Sequence, residues 1–570
     1  MSVRQSNGAL SYLSAVVAQH FSQKEEQMKR IRYGRSGIGF ERVKRSYRRF
    51  CAMVALLFAV ALPAFGSTIT VTTTNDSGPG SLRAALASAV SGDLINFNLQ
   101  YPATIVVASP LKPGHGVTIL GPGPNSLAIN GGDGVSVFVV QADGVVINGL
   151  TIEHGSSVLG AGVLNEGTLT LVNVVISNNT VGTQLGAGIF NSGTLTLTVS
   201  TVSGNSASSA SEQNQGGGIY NYQGTLTITF SDISSNEAAP PYGGRGGGIA
   251  VHSGTVNVDQ STIAGNTAQI FGAGIYIEGG QVNITRSTVS GNTSPNAGGG
   301  IVILGGTLAL TNSTIANNVA AGYAGILATQ WPDITPVPSV FLSNSTVYGN
   351  NPSGLNIGEN VAAAVKNSIF HGNYGNNCFN SFGAILSQGY NLSSDVSCNL
   401  YFTQTGDVNH ADIGLDPNGL QDNGGLTQTV ALVSTSSAIN AIPVSACTDV
   451  NNHPVTTDQR DVPRPQGSAC DIGAFEYFQS QHLVQAVQTY QIIGAVYALS
   501  LPSGIQSSLT APLQGAIDSL NRGDLSSASG QLGAFIYQAN ALMLSGRLTS
   551  TKASPLIAAA QSVLGSINGG

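Results

Sequence analysis

Between Gly160 and Asn350 the chain writes one hydrophobic pattern seven times. Each copy opens on glycines and an apolar residue, as in Gly186-Ala187-Gly188-Ile189. It continues through an alternating run such as Thr194-Leu195-Thr196-Leu197-Thr198, and closes on Ser-Thr-Ile or Ser-Thr-Val shortly before an Asn. The apolar residue after the glycines falls at Val163, Ile189, Ile219, Ile249, Ile275, Ile301 and Ile326, in steps of 26, 30, 30, 26, 26 and 25. A period of that size marks one supersecondary unit stacked on copies of itself. Alternation with period two is strand patterning, so Leu195, Leu197 and Val199 are expected on one side and Thr194, Thr196 and Thr198 on the other. Three short strands with Gly, Asn and Ser at the corners make one coil. The predicted fold is a right-handed parallel β-helix, a mainly β solenoid with three short strands per coil.

Coils pair at about 4.8 Å, so equivalent residues stack in columns. Asn179, Asn205, Asn236, Asn266, Asn292, Asn318 and Asn350 align at one corner. There Asn tolerates left-handed backbone, and its amide can bond the copies above and below. The outward Thr columns (Thr170, Thr196 and Thr227; Thr198, Thr229, Thr285 and Thr311) offer a hydroxyl face suited to glycans, although Thr is also simply a good exposed strand residue. The seventh copy is interrupted by the Pro-rich stretch QWPDITPVPS, which carries the only Trp, Trp331. That indole can stack on a sugar ring or pack the insertion onto the solenoid.

Five segments follow. Residues 1–66 read as a signal peptide with a long basic n-region: Lys44, Arg45, Arg48 and Arg49 precede the apolar run Cys51–Ala64, and Ala64-Phe65-Gly66 offers a small-x-small cleavage site. About 14 apolar residues are short of the roughly 20 that span a bilayer. Residues 67–158 are expected to form an N-terminal cap and the first coils, with Ser81 capping a short helix that places Leu82, Ala85, Leu86 and Ala89 on one face. Residues 159–375 are the regular repeats, and 376–478 a turn-rich terminal region. In 482–570, Leu525, Ala528, Leu532, Phe535, Ile536, Ala539, Leu542 and Met543 recur at three and four, the mark of an amphipathic helix within a small bundle.

Charge sharpens this picture. Residues 1–66 hold 11 of the 21 Lys and Arg but only 3 of the 28 Asp and Glu, leaving 10 basic against 25 acidic groups after them. Nucleic acid and anionic membrane are poor partners for such a body. Past residue 66 four cysteines remain, an even set that in an exported chain predicts two disulfides. Three connectivities are possible, and the sequential pairs Cys378–Cys398 and Cys447–Cys470, which close short loops, are the expected ones. The chain is expected to be a monomer.

Resemblances add address. The GAGI and GGGI units, paired with Ile-x-x-Asn (Ile263 to Asn266) where Phe-x-x-Asn is usual, resemble the repeats of chlamydial-type polymorphic outer-membrane proteins. The opening NDSGPGSLR and GDLINF is similar to the start of many bacterial β-helix surface proteins. Gly389-Tyr390-Asn391-Leu392, Asp422-Asn423-Gly424-Gly425, Asp458-Gln459-Arg460 and Cys470-Asp471-Ile472-Gly473-Ala474-Phe475-Glu476 resemble the choice-of-anchor terminal region of exported β-helix proteins. LGAFIYQANALMLSGRL with PLIAAAQSVL resembles the helical FIMAH domain. Together they imply a secreted or outer-membrane-associated protein.

Chemistry is thinly written. Between Gly160 and Asn350 the only basic side chains are Arg245 and Arg286. Stacking the repeats sets Asp259 beside Arg286 on adjacent coils, and aligns Tyr222, His252, Glu278 and Leu304 on successive ones. His252, Glu278, Asp259 and Arg286 are thus the catalytic candidates if the chain cleaves polysaccharide as a lyase or hydrolase of the pectin-degrading β-helix type. The plainer reading of the ionic pair is a surface salt bridge, and of the His column a solvated corner. No metal motif stands in context, and no cofactor is expected. Asp416, Asp422, Asp458 and Asp461 could ligate Ca²⁺, but such residues commonly cap turns. The reading favoured is a non-enzymatic surface protein presenting an elongated face for adhesion or glycan binding.

Overall fold

The computed structural model describes residues 66–208, 215–238, 243–477, 503–520 and 524–568, with scattered positions between 485 and 501. The basic segment and apolar run assigned to export lie outside the described residues, as does the turn Asn521-Arg522-Gly523.

The body is a parallel β-solenoid. One coil shows the plan: Ile189–Asn191 in sheet C, Thr194–Thr198 in sheet A, Thr201–Ser203 in sheet B, and the two-residue strand Ser206–Ala207 in sheet D. Among the described residues, sheets A, B, C and D contain 13, 12, 10 and 7 strands. The three predicted strands are present. The fourth is a short pairing between the Asn corner and the next glycines, where two extended residues suffice to meet the neighbouring coil. In sheet A register holds along this column: Leu195, Leu226, Val256, Val282, Leu308, Val340 and Ala363 pair in line, and all are fully buried. A one-residue slip would turn this column to water, so the core itself fixes the register.

Two corners are built from repeated polar devices. At the first, every column Asn from Asn179 to Asn350 is fully buried. From Asn205 on, each Asn Oδ1 accepts both the backbone N–H and the Nδ2–H of the Asn one coil before it: Asn236 N and Nδ2 reach Asn266 Oδ1 at 2.9 and 3.1 Å. The left-handed residue is not the column Asn, as expected from sequence, but the one preceding it: Asn178, Gly204, Ser235, Gly265, Gly291, Asn317 and Gly349 have φ of 55–66°. That turn aims the Asn amide inward. The glycine before each apolar residue makes room for the ladder. A Cβ on Gly248 would lie 2.6 Å from Gly274 O and 3.0 Å from Asn266 Nδ2.

At the second corner, Ser200, Ser231, Ser261, Ser287, Ser313, Ser345 and Ser368 repeat the device. Ser231 N and Ser261 N each donate to the Oγ of the next coil's Ser at 3.1 Å. The residue before each Ser is left-handed, including Val199 at φ 53° and Arg286 at 48°. Val199 therefore leaves the alternation: Leu195 and Leu197 face the core, whereas Val199 is half-buried at the turn. The corner wins over the strand period.

Helix α1 (Leu82–Ser88) covers the first coil, with Ser81 Oγ accepting from Ala84 N at 3.1 Å and Leu82, Ala85 and Leu86 buried. Strand pairing continues through Asn376–Asn380, Ala384–Ser387 and Leu392–Ser393, and both sequential disulfides, Cys378–Cys398 and Cys447–Cys470, are formed. The chain then turns back along the outside of sheet B. Thr288 Oγ1 donates to Gln428 O at 2.6 Å, Asn312 Nδ2 to Thr457 O at 2.7 Å and Thr314 Oγ1 to Gln459 Oε1 at 2.7 Å. This strap is locked internally by Arg460–Asp458 at 2.7 Å and Arg464–Glu476 at 3.0 Å, all buried. Helices α2 (Ser503–Leu520), α3 (Leu525–Leu544) and α4 (Ser550–Asn568) share a separate core around Leu513, Leu532, Phe535 and Leu556. Among the described residues no helix is long and apolar enough to cross a membrane.

Candidate functional site

The outer face of sheet C carries the densest chemistry of the solenoid. Its short strands leave three outward columns. The first, before the glycines, contains Leu185, Gln215, Arg245, Phe271 and Ala297, joined by successive parallel bridges. The second is the middle residue of each strand: Phe190, Tyr220, Ala250, Tyr276 and Val302 in register. The third follows each strand: Ser192, Tyr222, His252, Glu278 and Leu304, whose backbone N–H groups bond the preceding coil in sequence.

Sequence stacking thus located the third column correctly. His252 Nδ1 lies 2.9 Å from Glu278 Oε2, and the His252 ring stacks on Tyr222 at 5.0 Å with 13° between planes. Tyr222 continues into Tyr220 and Phe190, with centroids at 6.5 and 6.2 Å and planes within 27°. Leu304 is buried and closes the column. Glu278 fixes which way the imidazole faces, and the four rings stack on one another, Phe190 and Tyr220 buried and Tyr222 and His252 partly exposed. Burial raises the Tyr220 hydroxyl pKa, with Glu278 adding to the effect. The Tyr276 hydroxyl is pushed up to about 12, chiefly by burial, so both phenols stay protonated donors at neutral pH.

Asp259 and Arg286 also meet, but elsewhere. Arg286 Nε donates to Asp259 Oδ1 at 3.0 Å, and its Nη1 to Asp461 Oδ1 of the strap at 2.7 Å. Gln260 Nε2 bonds the same Asp461 carboxylate. The pair is therefore the solenoid half of a latch. It stands at the A–B corner, while His252 and Glu278 stand at the C–A corner. The strand Thr255–Asp259 lies between them, about 13 Å of backbone at 3.3 Å per residue. Glycosidic acid–base carboxylates stand about 5–9.5 Å apart, so the four catalytic candidates do not converge on one bond.

The Thr columns are broken, and several of their hydroxyls are bonded to neighbours along the column. Thr198, Thr229, Asp259, Thr285 and Thr311 share one register. Thr198 and Thr229 hydroxyls bond each other at 3.1 Å, Thr285 donates to Asp259 at 2.7 Å, and Thr311 bonds Ser343 at 3.2 Å. The neighbouring column turns from Thr170, Thr196 and Thr227 to Asn257, Asn283, Ala309 and Phe341. Trp331 packs edge-on against Phe271 at 5.8 Å and is 38% exposed. Of the acidic turn residues, Asp416 and Asp422 accept from nearby Asn418 and Gly424 amides, while Asp458 and Asp461 are engaged by Arg460 and Arg286.

Sequence reasoning missed Gln215, Arg245, Tyr220 and Tyr276. Their signal was present in the interval before each glycine run and in the middle residue of each sheet C strand. Reading only the Ile of that strand as core hid the outward residue beside it.

Residues 206–341 match the family model described as right handed beta helix region, which assigns the hand of the solenoid. No curated protein matches the sequence. Among solved structures, pectate lyase Pel9A is similar at 14% identity over 73% of this chain and 97% of the lyase, with a TM-score of 0.40, a likeness too loose to carry an argument about activity.

Proposed function

We propose that this chain is an exported β-helix protein, secreted or held at the cell envelope, that binds polysaccharide along the outer face of sheet C without cleaving it. One observation carries the reading: the partly exposed rings of Tyr222 and His252 stand together over the buried rings of Phe190 and Tyr220, flanked by the Glu278 carboxylate. Sugar rings present an apolar face to aromatic surfaces and hydroxyls to neighbouring polar groups. These rings are mounted on in-register parallel strands, so little order is lost when a ligand docks. Export is supported by the basic–apolar N-terminus and by two disulfides in a chain with four cysteines after it.

A cleaving enzyme is the second reading, and the 2.9 Å His252–Glu278 couple is what favours it. The test is one panel of plant and bacterial polysaccharides offered to purified residues 67–570, with and without Ca²⁺. Binding and the release of reducing ends or unsaturated products are read together. Binding without turnover is expected. Turnover that disappears in His252→Ala would make this an enzyme, and neither binding nor turnover would leave a structural role.

A further inference from the structure

Arg245 stands out among the described basic residues of the repeats. The other basic residue of the repeats, Arg286, is bonded to two carboxylates, but Arg245 has no acidic partner among the described residues. Its guanidinium carbon lies 5.6 Å from the Tyr276 ring centroid and 5.7 Å from that of Trp331. Its Nε is enclosed and without a hydrogen-bond partner. Two further buried polar atoms near it are also unbonded: Gln215 Oε1, from the residue paired with Arg245 one coil earlier, and the Tyr276 hydroxyl. Gln215 is 8% exposed and Tyr276 fully buried. Buried donors and acceptors without partners are costly to a fold, and their concentration on one outward face is not explained by packing. In the middle column the buried Ala250 stands between Tyr220 and Tyr276.

Resting on the glycan-binding reading, the geometry points to a subsite at Arg245, Gln215 and Tyr276 for the anionic group of a charged sugar residue, a carboxylate or a sulfate. The planar guanidinium supplies paired N–H donors suited to two oxygens of such a group, the Tyr276 hydroxyl donates a third bond, and Gln215 Oε1 accepts from a sugar hydroxyl. Trp331 offers the adjoining ring face. A body carrying 10 basic against 25 acidic groups after residue 66 repels polyanions at long range, so the discrimination is local to this one cation.

The experiment uses the full chain and one neutral oligosaccharide backbone in three forms: unmodified, oxidised to the uronate, and sulfated. The charged forms are expected to bind at least tenfold tighter than the unmodified one, with whichever of the two is preferred identifying the group. Arg245→Gln is expected to erase the preference. Tyr276→Phe, which removes a hydroxyl that interacts with Arg245, is expected to weaken the charged form about threefold, so the test survives if Arg245→Gln folds poorly. Equal binding of the three forms, or a preference that persists in Arg245→Gln or is untouched in Tyr276→Phe, overturns the subsite and leaves glycan binding standing. Absence of binding to every form overturns both.

Discussion

Arg286 on the solenoid holds Asp461 of the terminal strap, Nη1 to Oδ1 at 2.7 Å, 175 residues apart in sequence. The same guanidinium is bonded to Asp259 one coil earlier, so one side chain ties two coils to the returning chain. Because Arg286 and Asp461 are 33% and 46% exposed, the contact is a partly solvated one, worth about 1 kcal/mol or less. Asp461→Ala is expected to lower unfolding stability by no more than that, while speeding amide exchange at Thr457–Val462. Unchanged exchange there would mean that the latch does not hold the strap.

The buried pair inside the strap is a different case. Arg464 Nη1 meets Glu476 Oε2 at 3.0 Å with both side chains fully enclosed, and Arg464 also donates to the carbonyls of Asp471 and Gly473 at 2.6 Å. Removing one member strands the other charge in the interior, which costs about 3–5 kcal/mol. Glu476→Ala is expected to lose that much in chemical denaturation, several times the Asp461→Ala effect. A loss below about 1 kcal/mol would show that the strap contributes little to the fold.

How much of this was legible follows from what repeats. The core column at Leu195 and the Asn ladder recur in every coil, so their period announced them. Arg464 and Glu476 occur once, and nothing local in the sequence says that residues 12 apart close an ion pair over sheet B. Asp259 and Arg286 were correctly placed side by side by alignment, yet their third partner, Asp461, lies in a non-repeating segment whose path no period encodes. Val199 shows the opposite failure, a local pattern overridden by a corner that the Ser column requires. The aromatic stack fell between these cases: Tyr222 and His252 stack as aligned, but Arg245 was visible only as a rare basic residue until its column was known.

The Asn ladder sets a third expectation. Asn266 Oδ1 accepts two bonds from Asn236, while Nδ2 donates to Ile233 O at 2.9 Å and to Asn292 Oδ1 at 3.0 Å. Asn266→Ala leaves the backbone N–H of Asn236 and a neighbouring amide unpaired in a dry corner, a loss of about 3 kcal/mol. The exposed Asn418→Ala is the control, with under about 0.5 kcal/mol. Equal effects of the two in urea unfolding would contradict the role given to the ladder.

His371 gives the pH dependence. Its ring stacks on Tyr348 at 5.9 Å, and its Nδ1 is buried without a partner. Burial lowers its pKa below the ordinary 6.5, opposed by the nearby Asp412. The unfolded chain therefore takes up a proton at His371 before the folded one does, and the stability contribution, complete above pH 6.5, is lost as pH falls through the folded pKa. Glu476, raised to about 7 by burial, works the other way across the same range. The informative quantity is thus the difference between wild type and His371→Phe, which is expected to shrink the acid-induced loss between pH 7 and 5. Parallel stability profiles for the two proteins would remove His371 as the cause.

The ring stack and the Thr columns make opposite demands on binding. Tyr222 is 38% exposed and shares its face with His252, whereas the hydroxyls of Thr198 and Thr285 are occupied by Thr229 and Asp259. A ligand lying on sheet C would lose a stacked ring in Tyr222→Ala or His252→Ala, expected to weaken polysaccharide binding about tenfold, or about 1.4 kcal/mol. Thr198→Val and Thr285→Val alter a different face and should leave affinity within twofold. Titration of the four variants against the tightest polysaccharide separates the surfaces. Loss confined to the Thr variants would move the binding face from sheet C to sheet A, and with it the meaning of the His252–Glu278 couple, which would then be a corner contact and no part of a site.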